Sequence, residues 1–283
     1  MFSQPSSSQA GAPRPPRRYR AIFISDLHLG SPGCKAECLL DFLHSVESEY
    51  LYLVGDVLDG WRLKKRWFWP ERHNEILQTL LARARRGTRV VYLPGNHDEA
   101  LRKLIGRTLG GMRILHDVIH NTADGRRLLV IHGDVFDGVC TDMQWLARLG
   151  SVAYETTLAI NTGFNHLRRW LGLGYWPLSA FLKAQVKAAV NFVERYEQSL
   201  AAEARRRAVA GVVCGHVHKP EIRTIDGVEY FNDGDWVESC SALVEHWDGR
   251  LELLHWARQR QFDMLTVRRP VAGRAPAKAA LAA

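Results

Sequence analysis

In the first half of the chain, short apolar segments alternate with a segment of helical periodicity. Residues 20–25, 50–54 and 88–93 are rich in apolar and β-branched side chains, which is typical of buried strands. Residues 73–86 place apolar side chains at helical spacing, and the pattern stops at Gly87. A strand, helix, strand order of this kind predicts an α/β layered fold with parallel pairing.

From residue 114 the pattern changes to shorter strand-like segments separated by turn signals. Such turns are indicated at 123–125, 225–227 and 247–249, and they favour a more antiparallel second half. The predicted strands there are 114–120, 128–132, 211–214, 228–232, 241–247 and 251–256. A long segment, about residues 137–207, is mostly helical in pattern, and we interpret it as an insertion or cap within one domain.

The two ends of the chain differ from the body in composition and charge. Residues 1–18 are rich in Ser, Pro and Arg, and residues 266–283 are rich in Ala, Pro and Arg, so we expect two disordered tails around a domain at 19–265. Seven of the net eight positive charges lie in these tails. The remaining +1 on the body argues against a nucleic-acid partner, whereas weak attraction to an anionic membrane surface stays open.

No apolar stretch reaches the roughly 20 residues that span a bilayer, and the N-terminus lacks the apolar region of a secretory signal. The five cysteines are odd in number and scattered, which favours a reducing compartment over a disulfide framework. We therefore expect a cytoplasmic protein, with peripheral contact at the inner face of the cytoplasmic membrane as an alternative.

Five apolar segments end in aspartate, asparagine or histidine. If these strands share one sheet edge, their ends bring metal-ligating side chains together. The candidate ligands are Asp26, His28, Asp56, Asn96, His132, His216 and His218. Oxygen and imidazole donors suit Mn, Fe, Zn or Co, and such residues in ordered blocks after five apolar runs are hard to attribute to chance.

We assign these side chains to two divalent metal ions that share Asp56 as a bridging ligand. The first ion takes Asp26, His28 and His218 besides Asp56, and the second takes Asn96, His132 and His216. Two such ions about 3.5–4 Å apart can polarise a phosphoryl group and lower the pKa of a bridging water.

The five blocks resemble those of the calcineurin-like metallophosphoesterases. They read Asp26-Leu27-His28, Gly55-Asp56-Val57-Leu58-Asp59, Gly95-Asn96-His97-Asp98, His132-Gly133-Asp134 and Gly215-His216-Val217-His218. The resemblance covers about residues 20–256 and implies a four-layer α/β sandwich of two mixed sheets flanked by helices, with a dinuclear, often manganese, centre. It also implies that His97 is a general acid or transition-state stabiliser, oriented by Asp98.

Within the superfamily, the chain most resembles the UDP-2,3-diacylglucosamine diphosphatases of lipid A synthesis and their close relatives. The block Ser25-Asp26-Leu27-His28-Leu29 and the position of the insertion carry this resemblance. It implies cleavage of a lipid-linked nucleotide sugar to UMP and a lipid X-type sugar phosphate. The implied substrate contacts are Asn96, Ser179, Lys183 and Lys187.

One position departs from that narrower family, because His97 stands where the lipid A enzyme has arginine. Three alternatives therefore stay open: a phosphoesterase for another phosphomonoester or phosphodiester, a non-catalytic metal-binding scaffold, and a nuclease. The complete ligand set argues against a scaffold, and the nearly neutral body argues against a nuclease. Three roles stay open for the aromatic side chains: an apolar substrate site, a membrane-facing surface, or packing of the cap onto the body. These side chains are those of Trp61–Trp69, Trp170, Tyr175, Trp176 and Phe181.

Overall fold

The computed structural model describes residues 15–136, 171 and 178–260. The strands are β1 (Arg17–Ile24), β2 (Val46–Leu53), β3 (Arg89–Tyr92), β4 (Thr108–Leu109), β5 (Met112–Ile114), β6 (Asp117–Asn121), β7 (Arg127–Ile131), β8 (Gly211–Cys214), β9 (Glu221–Ile225), β10 (Val228–Asn232), β11 (Ser241–Glu245) and β12 (Leu251–His255). The helices are α1 (Ala36–Ser45), α2 (Gly60–Lys65), α3 (Glu71–Arg85), α4 (Leu178–Arg206) and α5 (Trp256–Arg260), with 3₁₀ turns at Glu99–Leu104 and Asp134–Phe136.

The strands form two mixed sheets. Seven strands make the first sheet in the order β12-β11-β1-β2-β3-β5-β4, with β1, β2, β3 and β5 parallel. Five strands make the second in the order β6-β7-β8-β10-β9, with β7, β8 and β10 parallel. Parallel strands end at the same edge of a sheet, so in each sheet the segments that follow them emerge together.

Alternation along the strands divides the core into three layers of apolar contacts. In β1, Ile22 and Ile24 face α1 and α3, whereas Ala21 and Phe23 face the second sheet. Phe23 stacks on Tyr52 of β2 with ring centroids 4.8 Å apart. The other face of the second sheet packs on α4. The result is the expected four-layer sandwich of helices, sheet, sheet and helix, held by burial of apolar surface between every pair of layers.

Some of the predicted elements differ from the structure. The predicted strand 114–120 is two strands, β5 in the first sheet and β6 in the second, so the chain crosses between the sheets there. The first strand begins at Arg17, inside the predicted tail, because Arg17 and Arg18 pair with β2. Trp256 begins a helix instead of ending a strand.

Two further expectations are met only in part. The second half is less antiparallel than its turns suggested, since β7, β8 and β10 are parallel. Of the predicted insertion, the end is the long helix α4, and residues 137–170 and 172–177 lie outside the described part. Among the helices that the structure describes, none is both long and apolar enough to cross a bilayer.

Candidate metal centre

The carboxyl ends of five parallel strands meet at one edge of the sandwich. Three of the strands, β1, β2 and β3, belong to the first sheet, and two, β7 and β8, belong to the second. Each is followed within four residues by one or two of the predicted ligands. The predicted ligand set is therefore brought together by strand direction in both sheets, and it lies across the junction between them.

The first group of side chains is Asp26, His28 and His218, whose ligand atoms all lie within 4.8 Å of one another. His218 Nε2 lies 2.9 Å from Asp26 Oδ1, and His28 Nε2 lies 3.7 Å from the same oxygen. The two imidazole nitrogens are 3.4 Å apart. All three side chains converge on a volume that a divalent cation would fill.

The second group is Asp56, His132 and His216, again with ligand atoms within 4.8 Å of one another. His132 Nε2 lies 3.5 Å from Asp56 Oδ2. The other ring nitrogen, Nδ1, lies 2.7 Å from the carbonyl oxygen of Val54 and donates to it. That bond fixes Nδ1 as a protonated nitrogen, so Nε2 is the ring nitrogen that would bind a metal.

These residues fit a metal centre because buried polar atoms among them have no hydrogen-bond partner. Asn96 Oδ1 and His132 Nε2 are buried without a hydrogen-bond partner, which is costly unless something else binds them. Burial would raise the pKa of Asp56, but His132 beside it lowers that pKa to about 2. The pKa of Asp26 is held well below its usual value by His218, against the same effect of burial. The pocket therefore requires positive charge.

The backbone is unusual at these positions. Asp26, His28, Asp56, His216 and His218 all have a positive φ, between 48° and 68°. For a residue other than glycine this conformation costs of order 1 kcal/mol or more, so the surrounding structure must impose it. Imposed strain at five of the seven predicted ligands is typical of a functional site, where side-chain direction matters more than local stability.

Glycine at position 95 is required by close packing. A Cβ there would lie 2.2 Å from Asp56 Oδ1 and 2.6 Å from His132 Nε2. The absence of a side chain thus opens the space into which the ligands point. In the sequence, Gly95 is only the first residue of the block Gly95-Asn96-His97-Asp98. The close packing explains why this residue is glycine.

His97 lies at the mouth of the centre. Its ring packs on Trp61 with centroids 4.2 Å apart and meets the His28 ring edge-on at 4.6 Å. His97 Nε2 is 4.0 Å from Asp56 Oδ2, and His97 Nδ1 is 3.1 Å from Asp59 Oδ1. Asp59 also caps α2 by accepting the backbone N–H of Arg62. The orienting partner of His97 is therefore Asp59.

The prediction that Asp98 orients His97 is wrong. Asp98 is buried, its Oδ1 accepts the backbone N–H of Gly95 at 2.6 Å, and its Oδ2 accepts that of Val57 at 2.9 Å and the hydroxyl of Tyr92. These bonds tie the loop after β3 to the loop after β2. Asp98 thus positions the two loops and does not contact the imidazole.

Sequence reasoning missed a set of supporting residues behind the first group. Ser25 Oγ lies 2.6 Å from Asp26 Oδ2 and also 2.6 Å from Asp233 Oδ1. Burial raises the pKa of Asp233 well above its usual value, which favours the protonated form of this carboxyl. Asp233 follows β10, another parallel strand, and Asn232-Asp233-Gly234-Asp235 after an apolar run is the signal that could have revealed it.

Tyr196 connects α4 to the centre from the other side. Its hydroxyl lies 3.3 Å from the carbonyl oxygens of both His132 and Gly215. Of the predicted substrate contacts, Lys187 is exposed on α4, and the side chains of Ser179 and Lys183 lie outside the described part, as does Phe181. Trp170, Tyr175 and Trp176 lie outside it too.

Comparison with known proteins identifies the family of this chain. The family model for calcineurin-like phosphoesterases matches residues 19–220. No curated protein matches the chain. Three similar solved structures each match 83% of this chain. Vacuolar protein sorting 29 from Cryptosporidium parvum is 13% identical, with 94% of its own chain covered and a TM-score of 0.41. The E. coli phosphoesterase YfcE is 15% identical, with 98% covered and a TM-score of 0.40, and an archaeal phosphodiesterase is 10% identical, with 98% covered and a TM-score of 0.38. The matched family model spans more than two thirds of the chain, so this protein belongs to the calcineurin-like phosphoesterases and is a metal-dependent hydrolase.

Proposed function

We propose that this protein hydrolyses a phosphoester or phosphoanhydride bond at a centre of two divalent metal ions. The observation that carries the proposal is the pair of ligand groups that each span the sheet junction, with a histidine-carboxylate pair at their mouth. Asp26, His28 and His218 would hold one ion, Asn96, His132 and His216 the other, and Asp56 both. Ions bound there would supply Lewis-acid activation of the phosphoryl group and of the attacking water.

The remaining chemistry falls to His97 and its neighbours. Asp59 accepts a hydrogen bond from Nδ1 and so holds the ring with Nε2 facing the centre, where Nε2 acts by donating its proton. A leaving-group oxygen placed against Nε2 would receive that proton as the bond to phosphorus breaks. Trp61 covers one face of the ring and limits its rotation. His97 is thus the proposed general acid and Asp59 its positioning residue.

The proposed native metal is manganese, with iron, zinc and cobalt as alternatives. A mixed set of carboxylate, amide and imidazole ligands suits all four. The test is metal content of protein purified without added metal, followed by removal with a chelator and reloading with each ion in turn. Manganese should restore the highest turnover per bound ion, and a higher turnover with another ion would replace it.

For the substrate, we propose a lipid-linked nucleotide sugar of the UDP-2,3-diacylglucosamine type. Support comes from Trp61, whose ring lies against His97 at the mouth of the centre, because an indole ring suits an acyl chain. A second candidate is another phosphomonoester or phosphodiester, and His97 itself favours it, since the lipid A enzyme has arginine at this position.

A substrate panel with purified manganese-loaded protein separates these candidates. UDP-2,3-diacylglucosamine should be cleaved with a kcat/KM far above that for UDP-N-acetylglucosamine, because each buried methylene contributes about 0.8 kcal/mol. Equal reaction of the two nucleotide sugars, or reaction of only another phosphoester, would select the second candidate. Two bound ions with no turnover of any phosphoester would contradict an enzyme altogether.

A further inference from the structure

The segment between Asp59 and Glu71 carries four cations and no acidic residue. Arg62, Lys64, Lys65 and Arg66 occur within five positions and are followed directly by Trp67. All five side chains are exposed, and Trp67 is 73% exposed, the largest fraction among the exposed large hydrophobic residues described. We call these five residues the basic-aromatic surface.

The surface is presented by a segment that is itself well anchored. Leu63 covers Gly30, so closely that a Cβ on Gly30 would lie 2.6 Å from its Cγ. Gly60 donates its N–H to the carbonyl oxygen of His97 at 3.0 Å. Beyond the surface, Trp69 packs on the His73 ring with centroids 5.8 Å apart. Gly60, Leu63 and Trp69 therefore anchor the segment to the body of the protein, and this leaves the basic-aromatic surface facing solvent.

The cations are largely unneutralised. Arg62 lies 4.0 Å from Asp59, and among the residues that the structure describes, Lys64, Lys65 and Arg66 have no ion pair. An exposed indole beside unpaired cations suits the boundary between water and an anionic bilayer, where the ring enters the headgroup region and the cations meet lipid phosphates. Single-stranded nucleic acid also combines phosphates with stacking faces, but it needs a basic groove, and residues 19–265 carry a net charge of only +1.

We propose that the basic-aromatic surface docks the protein on an anionic phospholipid membrane, with the metal centre beside the contact. Trp61, in the first turn of α2, packs on His97 and links the surface directly to the mouth of the centre. The proposal deepens the proposed function and rests on it in one respect: a substrate with acyl chains must be drawn from a bilayer. Binding to the membrane does not itself require turnover.

The test is co-sedimentation of the full chain with vesicles, of phosphatidylcholine alone or of an equimolar mixture with phosphatidylglycerol. We expect binding to the anionic vesicles only, and release in about 1 M salt, where screening acts over about 3 Å. Each cation near such a surface contributes about fivefold to partitioning, so Lys64→Ser, Lys65→Ser and Arg66→Ser together should weaken it on the order of a hundredfold. Trp67→Ala should weaken it further.

A matched control lies elsewhere on the molecule. Arg85 and Arg86 are exposed at the far end of α3, about 20 Å along that helix, and Trp247 is exposed at 57%. Arg85→Ser, Arg86→Ser and Trp247→Ala together should bind vesicles like the parent protein. Equal loss in both sets of variants, or no loss in the first, would overturn the proposal.

Two further measurements separate this proposal from the proposed function. Turnover of a small chromogenic phosphodiester should be unchanged in the triple cation variant, because that substrate needs no membrane. Vesicle binding with no cleavage of the acylated nucleotide sugar would refute the substrate and leave the docking surface standing. Binding of a single-stranded oligonucleotide but of no vesicle would refute the docking surface and leave the metal centre untouched.

Discussion

Replacing Gly95 with alanine should disrupt the metal centre while the fold survives. The added Cβ would lie 2.2 Å from Asp56 Oδ1 and 2.6 Å from His132 Nε2, where non-bonded atoms need about 3.5 Å, so both side chains must move by roughly 1 Å. Neither is free to do so, because Asp56 Oδ1 accepts the N–H of His97 at 2.8 Å and His132 is held at Val54. The φ of Gly95 is not positive, so alanine adds no backbone strain of its own.

We expect Gly95→Ala to bind fewer than two metal ions per chain and to lose roughly 10- to 100-fold in turnover, as disturbed ligand orientation does in metal sites. Overpacking should cost about 1–3 kcal/mol, which lowers the melting temperature by roughly 3–10 °C. The assays are metal analysis by mass spectrometry, hydrolysis of a chromogenic phosphodiester, and thermal unfolding.

The matched control is Gly33→Ala, also at a position without positive φ. Its Cβ would meet only Val237 Cγ1 at 3.2 Å and Ser31 Oγ at 3.5 Å, and small shifts relieve both contacts. It should keep two ions and near-normal turnover. If Gly95→Ala also keeps both ions and full turnover, Asp56 and His132 do not face the space in front of Gly95, and the proposed arrangement of ligands is wrong.

The remaining predictions concern single side chains. Asp56→Ala should bind fewer than two ions and lose hydrolysis of every phosphoester; full activity after demetallation and reloading would exclude a bridging role. His97→Ala should keep its metal content while its rate falls by roughly 10²–10⁴, and an equal fall in metal content would make it a ligand instead. Asp59→Asn should keep both ions and lower kcat more than it raises KM, because a neutral amide accepts from His97 Nδ1 more weakly than a carboxylate and holds the ring less firmly; an unchanged kcat would remove Asp59 from its positioning role. Burial lowers the pKa of His73 to about 4, so the folded state excludes a proton that the unfolded chain accepts. The stability that this provides is complete above about pH 6.5 and is lost as the pH falls toward 4, by up to about 3 kcal/mol. In His73→Asn the side-chain oxygen can still accept the Gly30 N–H without titrating, and denaturant unfolding of the two proteins should differ in slope across this window; parallel slopes would contradict it.

The grouping of the predicted ligands could be predicted from sequence because the ends of the buried strands are recognisable in it. An apolar run that stops at Asp26 or Asp56 marks both the end of a buried strand and the chemistry placed there. Five such runs are enough to predict that their ends meet, since parallel strands share an edge. The four layers are implied only by the resemblance to the calcineurin-like metallophosphoesterases, because the residue pattern alone predicts no more than an α/β layered fold with parallel pairing.

Pairing between distant side chains could not be predicted in this way. Asp98 is adjacent to His97 in the chain, yet its oxygens are taken by backbone N–H groups of two loops, and Asp59, 38 residues away, reaches the ring instead. The crossing of the chain from one sheet to the other between β5 and β6 could not be predicted either, because a short break in an apolar run does not indicate which sheet each half joins. Both are decided by packing among elements far apart in sequence.

Because each ligand group takes residues from both sheets, bound metal would join the two halves of the sandwich. Asp26 and His28 follow the first sheet and His218 the second, and Asp56 faces His132 in the same way. An ion that binds only the closed edge stabilises it by mass action, in proportion to the logarithm of free metal over the dissociation constant. Metal supply would then govern how often this edge opens, and with it the exposure of β7 and β8 to proteases, independently of whether any substrate is present.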